Sequence, residues 1–242
     1  MEINGSVAFV TGANRGLGSS YVDALLAAGA SKVYAGARNP KSIRNLRACP
    51  VKLDVTSPGI VAAAAAACSD VTLLINNAGV MTSAALLAPA VEAGMRLEME
   101  VNVYGVLAMI RAFAPILKRN GGGILVNVLS SVSLVTSPFN ATYSASKHAA
   151  HAITEAARIQ LRGQGTRVVG VYAGFIDTDM TAGIDAPKTS PRQVADRTLE
   201  GLRGSQDNVL ADERAEYIWN NAHTNRAFLA ERMQLAWDLK NT

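Results

Sequence analysis

Cysteine is scarce: Cys49 and Cys68 are the only two in 242 residues. Two cysteines cannot frame a disulfide-stapled fold, so a reduced, cytoplasmic compartment is expected. Histidine is equally sparse, with three residues. They show no metal-ligand spacing, so no metal site is expected, and His148 and His151 read as helix-surface residues. Aromatic residues make up 5% of the chain. No long basic tract with interleaved aromatics appears, which argues against a nucleic-acid partner. The N-terminus has no basic segment leading into an apolar core, so no secretory signal is expected. No apolar stretch approaches the length of a bilayer crossing, so no membrane partner is expected. There is no repeat of fixed period.

The charge that is present is unevenly placed. Residues 1–121 hold 11 Lys/Arg against 7 Asp/Glu, and residues 122–242 hold 12 of each, so the first half carries the whole net charge of +4. Arg15, Arg38, Lys41, Arg44 and Arg47 account for much of the excess. Arg44 and Arg47 read as a solvated helix face. Hydrophobic residues make up 49% of the sequence, enough for a sizeable core in one compact unit spanning 1–242.

Apolar runs alternate with helical patterns along the chain. Strands are expected at Val7–Val10, Lys32–Ala37, Val51–Leu53, Val71–Ile75, Ile124–Leu129, Arg167–Tyr172 and Asn208–Leu210. Helical patterns fill the gaps, the longest near Val91–Lys118 and Thr142–Arg162, and the run Ala62 to Ala67 reads as helix. Such alternation means a parallel sheet covered on both faces, with ligands bound beyond the carboxyl ends of its strands. A helical extension covering about 212–240 closes the chain. It carries Trp219 and Trp237, expected in the core or at a subunit contact.

The first strand runs into Thr11-Gly12-Ala13-Asn14-Arg15-Gly16-Leu17-Gly18 and then a helix. Glycines at these points permit a tight turn, a close approach of backbone to a pyrophosphate and close helix–strand packing, while the helix start offers free N–H groups. A glycine-rich structural turn is the other reading of the same residues. Farther on, Tyr143 and Lys147 stand four residues apart, with Ser130 thirteen residues before the tyrosine. On a helix the phenol and ammonium share a face. The positive charge is expected to lower the phenol's pKa and make it usable as an acid and base. Taken alone, such a pair is more readily a solvated helix face.

Taken together, these segments resemble the short-chain dehydrogenase/reductase family in its ordinary single-domain form. The resemblance covers roughly residues 5 to 210. Thr11 to Gly18 matches the cofactor glycine motif, Asp54-Val55 the pair bordering the adenine, and Asn76-Asn77-Ala78-Gly79 the motif after the fourth strand. Asn102, Ser130, Tyr143 and Lys147 match the catalytic tetrad, and Gly174 and Thr178 fall where the family contacts the nicotinamide. The resemblance implies an α/β fold, a single doubly wound Rossmann domain with a seven-stranded parallel sheet in the order 3-2-1-4-5-6-7. It implies cofactor contacts from Gly12, Asn14, Arg15, Gly16, Leu17, Gly18, Arg38, Asp54, Val55, Asn77, Ala78, Gly79, Gly174, Ile176 and Thr178, with Tyr143 and Lys147. It also implies that Asn102 holds a water linking Lys147 to solvent.

Three departures from the family pattern concern the substrate side. Leu129 stands where a non-catalytic serine is usual, Ser133 where a glycine is usual, and Ala173-Gly174 replaces the usual Pro-Gly. Cofactor choice is read at the end of the second strand. An acidic residue there would bind the ribose hydroxyl of NAD. This chain has Ala37, followed by Arg38, with Arg15 before Gly16. Two arginines and no acid favour the 2′-phosphate of NADP(H). The resemblance implies a ketone, aldehyde or alcohol substrate, with Tyr143 donating the proton and Ser130 bonding the substrate oxygen. Phe139, Tyr172, Phe175, Met180 and Ile184 are candidate pocket residues. A 3-oxoacyl carrier-protein reductase and a non-catalytic nucleotide sensor are the alternatives. A homo-oligomer is expected, a tetramer before a dimer.

Overall fold

The computed structural model describes residues 2–82 and 85–241. Seven strands form one sheet in the order β3-β2-β1-β4-β5-β6-β7, with every pairing parallel. They are β1 (Val7–Thr11), β2 (Lys32–Ala37), β3 (Cys49–Lys52), β4 (Leu73–Asn76), β5 (Gly123–Val128), β6 (Thr166–Tyr172) and β7 (Asn208–Leu210). The helices are α1 (Gly16–Ala27), α2 (Pro58–Ala67), α3 (Val91–Met99), α4 (Val106–Arg119), α5 (Ala141–Leu161), α6 (Pro191–Arg203), α7 (Glu213–Thr224) and α8 (Arg226–Asn241).

The strands read as unbroken apolar runs because both faces of the sheet are covered. Successive residues point to opposite sides. Val10 and Ile75 pack with Tyr21 and Leu25 of α1 and Leu199 of α6. Phe9 and Leu74 pack on the other side with Met109, Phe113 and Leu117 of α4, and the Phe9 and Phe113 ring centroids are 5.0 Å apart.

Most element ends shift by one or two residues from the sequence reading, and three differences have a clear physical cause. β3 begins at Cys49 and takes in Pro50. It is an edge strand, where a residue without an N–H costs no ladder bond on the open side. β5 begins at Gly123, whose φ of +98° and close approach to the Thr72 carbonyl leave no room for a Cβ. The long helix expected near Val91–Lys118 is split into α3 and α4 by a π-helical turn at Glu100–Gly105.

That same run, Val91–Arg119, is by length and composition sufficient to cross a membrane, contrary to the sequence expectation. Half of its apolar 18-residue window is buried inside the protein, and Glu98 and Asn102 of the run are buried. Those two polar side chains lie in its middle and are bonded to neighbouring segments. The run is built as a core helix of this fold.

Strand order reverses between β1, which leads to β2, and β4, which lies on its other side. Ligands of open parallel sheets bind beyond the strand ends at this kind of crevice. The glycine segment follows β1, Asn77 follows β4, Ser130 follows β5 and Gly174 follows β6. The fold thus brings the separate motifs to one edge.

Candidate active site

The glycine segment forms a cradle that side chains would fill. Gly12 and Gly16 have φ of +65° and +52°, the left-handed region that glycine occupies without strain. A Cβ on Gly18 would sit 2.1 Å from the Gly12 carbonyl oxygen. Arg15 caps α1 with extended backbone and no side-chain hydrogen bond to the helix, so the first-turn amides point at the cleft. Asn14 and Leu17 complete the turn, and Leu17 is buried beneath it. The segment after β4 braces the cradle. Asn77 and Ala78 each donate a backbone N–H to Thr11 Oγ1 at 2.9 Å, and Asn77 Nδ2 donates to the Thr11 carbonyl at 2.9 Å. An open backbone cradle at a helix start suits a pyrophosphate, so these residues fit a dinucleotide.

At the cradle's outer end, Arg38 is exposed after β2. Lys52 of β3 donates its ammonium to the Arg38 carbonyl. Lys52 is therefore a second cation at this end. The sequence reading missed it because it arrives on a different strand. Asp54 accepts from the backbone N–H and hydroxyl of Thr56 at 3.0 and 2.7 Å. Those bonds hold its carboxyl below the usual range, with Arg38 and Lys52 adding to the effect. Val55 packs against Gly105, where a Cβ would come 2.7 Å from Val55 Cγ2. Arg15 behaves otherwise: its guanidinium bonds Asp179 at 2.9 Å, and both side chains are mostly exposed. Such a pair contributes little to stability and leaves Arg15 able to change partner.

Ser130 ends β5 as the N-cap of a short 3₁₀ turn, Ser131–Ser133. Its Oγ accepts from the Val132 N–H at 3.3 Å and donates to the Ala173 carbonyl at 3.4 Å. Ser133, the residue that replaces a glycine, accepts from the Ser130 N–H at 3.1 Å. Its hydroxyl closes a capping box around Ser130 and fixes that residue's backbone. The sequence reading saw the replacement but not this role, since the capping pattern spans a turn too short to show periodicity.

Tyr143 and Lys147 lie in the first two turns of α5. The Lys147 ammonium donates to the Val128 carbonyl at 2.9 Å and stands 5.6 Å from the centre of the Tyr143 ring. Burial lowers the Lys147 pKa to about 8. The Tyr143 phenol is pushed upward, first by the protein packed around it and also by the charge of Glu98, against a bond with Ser130. The expectation that Lys147 lowers the phenol is therefore not met in the chain by itself. The ammonium is bonded to a carbonyl, and desolvation outweighs its field.

Asn102 is fully buried in the π-helical turn. Its Oδ1 accepts from the Val80 N–H at 2.9 Å, and its Nδ2 donates to the Val80 carbonyl at 2.9 Å and to Ser146 Oγ at 3.0 Å. The side chain clamps the loop after β4 to α5, with both Nδ2 hydrogens donated and one bond accepted at Oδ1. Gly79 lies between the two groups: a Cβ there would come 3.3 Å from Asn102 Oδ1 and 3.9 Å from Lys147 Nζ.

The segment after β6 closes the cleft. The Gly174 N–H donates to Asp212 Oδ2 at 2.7 Å, while Asp212 Oδ1 caps α7 through the Ala215 N–H at 2.8 Å. Arg214 covers Gly174, where a Cβ would come 2.7 Å from Arg214 Cδ, and lies 4.7 Å from the Phe175 ring centre. Ile176 pairs with Thr189 as an isolated parallel bridge, so the short loop between Thr178 and Pro191 folds back on itself. Thr178 touches the cradle: a Cβ on Gly16 would come 3.1 Å from Thr178 Cγ2.

Of the candidate pocket residues, Tyr172 is core: it is buried, bonds His151 Nδ1 at 2.8 Å and packs edge-on against Trp219 at 5.1 Å. His151 is accordingly half-buried rather than on the surface. Phe139 stacks on Trp237 at 5.5 Å, Met180 is exposed and Ile184 is half-buried.

A profile of the short chain dehydrogenase family matches residues 6–189. The chain belongs to the short-chain dehydrogenase family. A Burkholderia cenocepacia short chain dehydrogenase, solved in complex with NADP, superposes with a TM-score of 0.93 at 43% identity, covering 96% of this chain and 99% of that one. Dehydrogenase/reductase SDR family member 7B of Bos taurus is 29% identical over 87% of this chain and 74% of its own length. Short chain dehydrogenase tazN of Aspergillus terreus is 32% identical over 90% of this chain, which spans 51% of that relative.

The buried Lys147 of this short-chain dehydrogenase carries a stability consequence. Its folded pKa of about 8 lies below the ordinary lysine value of 10.5. Below pH 8 both folded and unfolded forms hold the proton, and the folded form bears the full cost of burying the charge. Between pH 8 and 10.5 the unfolded chain binds more protons, so stability rises with pH. Lys147→Met removes the cost at neutral pH. It is expected to stabilise the cofactor-free protein at pH 7 by roughly 1–3 kcal/mol while destroying turnover. Denaturant unfolding at pH 7 and pH 10 checks both the gain and its decline with pH.

Proposed function

We propose that this short-chain dehydrogenase is an NADPH-dependent carbonyl reductase and alcohol dehydrogenase for small ketones, aldehydes or alcohols. One observation carries the reading: the Ser130 and Tyr143 hydroxyls and the buried Lys147 ammonium gather at the sheet edge that also forms the phosphate cradle. Gly12, Gly16, Gly18 and the first amides of α1 would hold the pyrophosphate, and Arg38 the 2′-phosphate. Lys147 would hold the nicotinamide ribose, near Gly174, Ile176 and Thr178. NADP in the Burkholderia cenocepacia relative supports the cofactor assignment.

A bound dihydronicotinamide would supply the hydride. Tyr143 gives the proton on its Oη to the carbonyl oxygen, and in the reverse direction takes it back. Ser130 Oγ–H bonds the same oxygen, so the developing alkoxide meets two preplaced donors. Asn102 acts through position, holding the loop after β4 against α5.

A carrier-protein reductase is less well supported. It calls for a basic surface beside the cleft, and between residues 177 and 188 the charged residues are Asp177, Asp179, Asp185 and Lys188. Nucleotide sensing alone needs no buried lysine behind a tyrosine. The test is NADPH oxidation, followed by absorbance, with a simple aryl ketone and with an acyl thioester. Turnover of the ketone supports the reading. Turnover of the thioester alone favours the carrier-protein reductase, and none with either favours the sensor.

We also propose a homo-oligomer, a tetramer before a dimer. Leu97, Tyr104 and Leu107 are exposed on the α3–α4 run, which carries Asn102 and packs beside α5. An apolar face on those helices suits pairing with a second copy. Light scattering at micromolar concentration is expected to report at least a dimer, and a monomer rejects the assignment.

A further inference from the structure

Arg214, in the first turn of α7, stands beside the cleft, and the proton transfer at Tyr143 gives it no task. Three contacts fix its place. Its Cβ, Cγ and Cδ lie across Gly174, where a Cβ on the glycine would come 2.9, 3.2 and 2.7 Å from them. Its guanidinium carbon stands 4.7 Å from the centre of the half-buried Phe175 ring. Ala215, the next residue, packs in one buried cluster with Leu129, the residue before Ser130. Ala173, which precedes Gly174, accepts from Ser130 Oγ at 3.4 Å and from the Ser131 N–H at 2.8 Å. Ser130 and Arg214 thus meet the backbone at neighbouring residues. With standard backbone dimensions, that path puts Arg214 Cδ within about 10 Å of Ser130 Oγ.

The fold does not use the charge of this arginine. Arg214 is exposed and makes no ion pair among the described residues. Its helix does not favour it either, because the start of a helix is the positive end of the dipole and suits acids. The acids near it are turned elsewhere. Asp212 spends its two carboxylate oxygens on the Gly174 and Ala215 N–H groups. Glu213 is its immediate neighbour in the helix and faces another side, and Glu216 pairs with Arg197 at 3.3 Å. In the loop after β6, Asp179 is held by Arg15, while Asp177 and Asp185 are exposed. The stem is packed on a glycine and the cation rests on a ring, so the guanidinium is oriented before any ligand arrives. Its planar fork of donors matches a carboxylate.

We propose that Arg214 determines substrate specificity by binding a carboxylate on the substrate, so that the chain acts on oxo acids and hydroxy acids in preference to neutral ketones and alcohols. This rests on the reading of the chain as a carbonyl reductase with Ser130 and Tyr143 at the substrate oxygen. The carboxylate takes the guanidinium fork while the carbonyl oxygen meets those two hydroxyls. The separation of Arg214 from Ser130 leaves room for a linker of a few carbon atoms between the two groups. Phe175, under the guanidinium, offers that linker an apolar wall.

The test compares 4-acetylbenzoate and 4-oxopentanoate, each with its methyl ester, as ketones reduced at saturating NADPH. The unaltered chain is expected to favour the acid over the ester in kcat/KM by about tenfold or more in at least one pair, the scale of a hydrogen bond to a charged group. Added salt should shrink that preference, since the arginine is exposed. Arg214→Gln keeps the three carbons that pack on Gly174 and removes the charge. It is expected to raise the Michaelis constant for the favoured acid about tenfold to hundredfold, with that for the ester and for NADPH nearly unchanged. Ester turnover by this variant shows that it is folded and loaded. Arg214→Lys keeps the charge without the fork and should fall between the two. A native chain that uses ester and acid alike in both pairs overturns the proposal. So does an Arg214→Gln protein that loses acid and ester equally. In either case ketone turnover remains, and the reductase reading stands. If the unaltered chain reduces none of the four ketones, that reading fails and the role of Arg214 fails with it.

Discussion

Tyr143→Phe is expected to bind NADPH as the unaltered chain does and to lose turnover by about 10²–10⁴-fold, the usual range for general acid catalysis. The ring keeps its packing in α5, because the change deletes one oxygen. Ser130 keeps its bonds to Val132 and Ala173, so the fold loses little. Steady-state rates with one ketone, alongside NADPH titration by fluorescence, separate binding from chemistry. A variant that retains more than about a tenth of the turnover would lie well outside that range and would remove Tyr143 from the mechanism.

The geometry around this tyrosine shows which parts of the site a sequence can carry. Motif residues that end strands were readable, because the position of a strand end follows from the apolar run before it. Ser130, Asn77 and the glycine segment stand where that reasoning puts them. The β2 and β7 limits also agree with the sequence reading, each run being bounded by polar or turn-forming residues. Less readable were residues whose task depends on a partner far along the chain. Asp212 joins Gly174 to α7 across 38 residues. Asn102 closes on Val80 across 22 and on Ser146 across 44. In the sequence Asp212 is an ordinary helix-capping residue. Burial turns it into part of the site, and burial depends on how separate elements meet.

Electrostatics were the least readable. Four-residue spacing puts Lys147 beside Tyr143, as expected, and on that ground its charge should favour the phenolate. The spacing does not report that both groups are desolvated, that Lys147 is bonded to the Val128 carbonyl, or that Glu98 is near. Each of these acts against the simple Coulomb expectation. The binding of a cofactor carrying its own charge would alter the balance again, so the working acidity of Tyr143 belongs to the loaded site.

Arg38→Ala is expected to raise the Michaelis constant for NADPH about tenfold to hundredfold and to leave that for NADH nearly unchanged. A hydrogen bond to a charged group contributes roughly 1.5–3 kcal/mol, which converts to that factor in affinity. Arg38 is exposed at the end of β2 and makes no ion pair among the described residues, so its guanidinium can turn to a phosphate without giving up a partner. Arg15 would first have to leave Asp179, and Arg15→Ala is therefore expected to have the smaller effect. Lys52 remains beside the Arg38 backbone and sets a limit on the loss, because its ammonium still favours a phosphate there. Adding Ala37→Asp to Arg38→Ala should go further. The new carboxylate can accept from the ribose hydroxyl of NADH and repel the phosphate of NADPH, so it acts by attraction and by exclusion. Ser130, Tyr143 and Lys147 stand after β5 and on α5, away from the end of β2, and turnover at saturating NADH should persist. Steady-state kinetics with both cofactors on one ketone decide the matter. An Arg38→Ala enzyme that uses NADPH as the unaltered chain does would reduce Arg38 to surface charge, and phosphate recognition would then fall to Lys52 and Arg15.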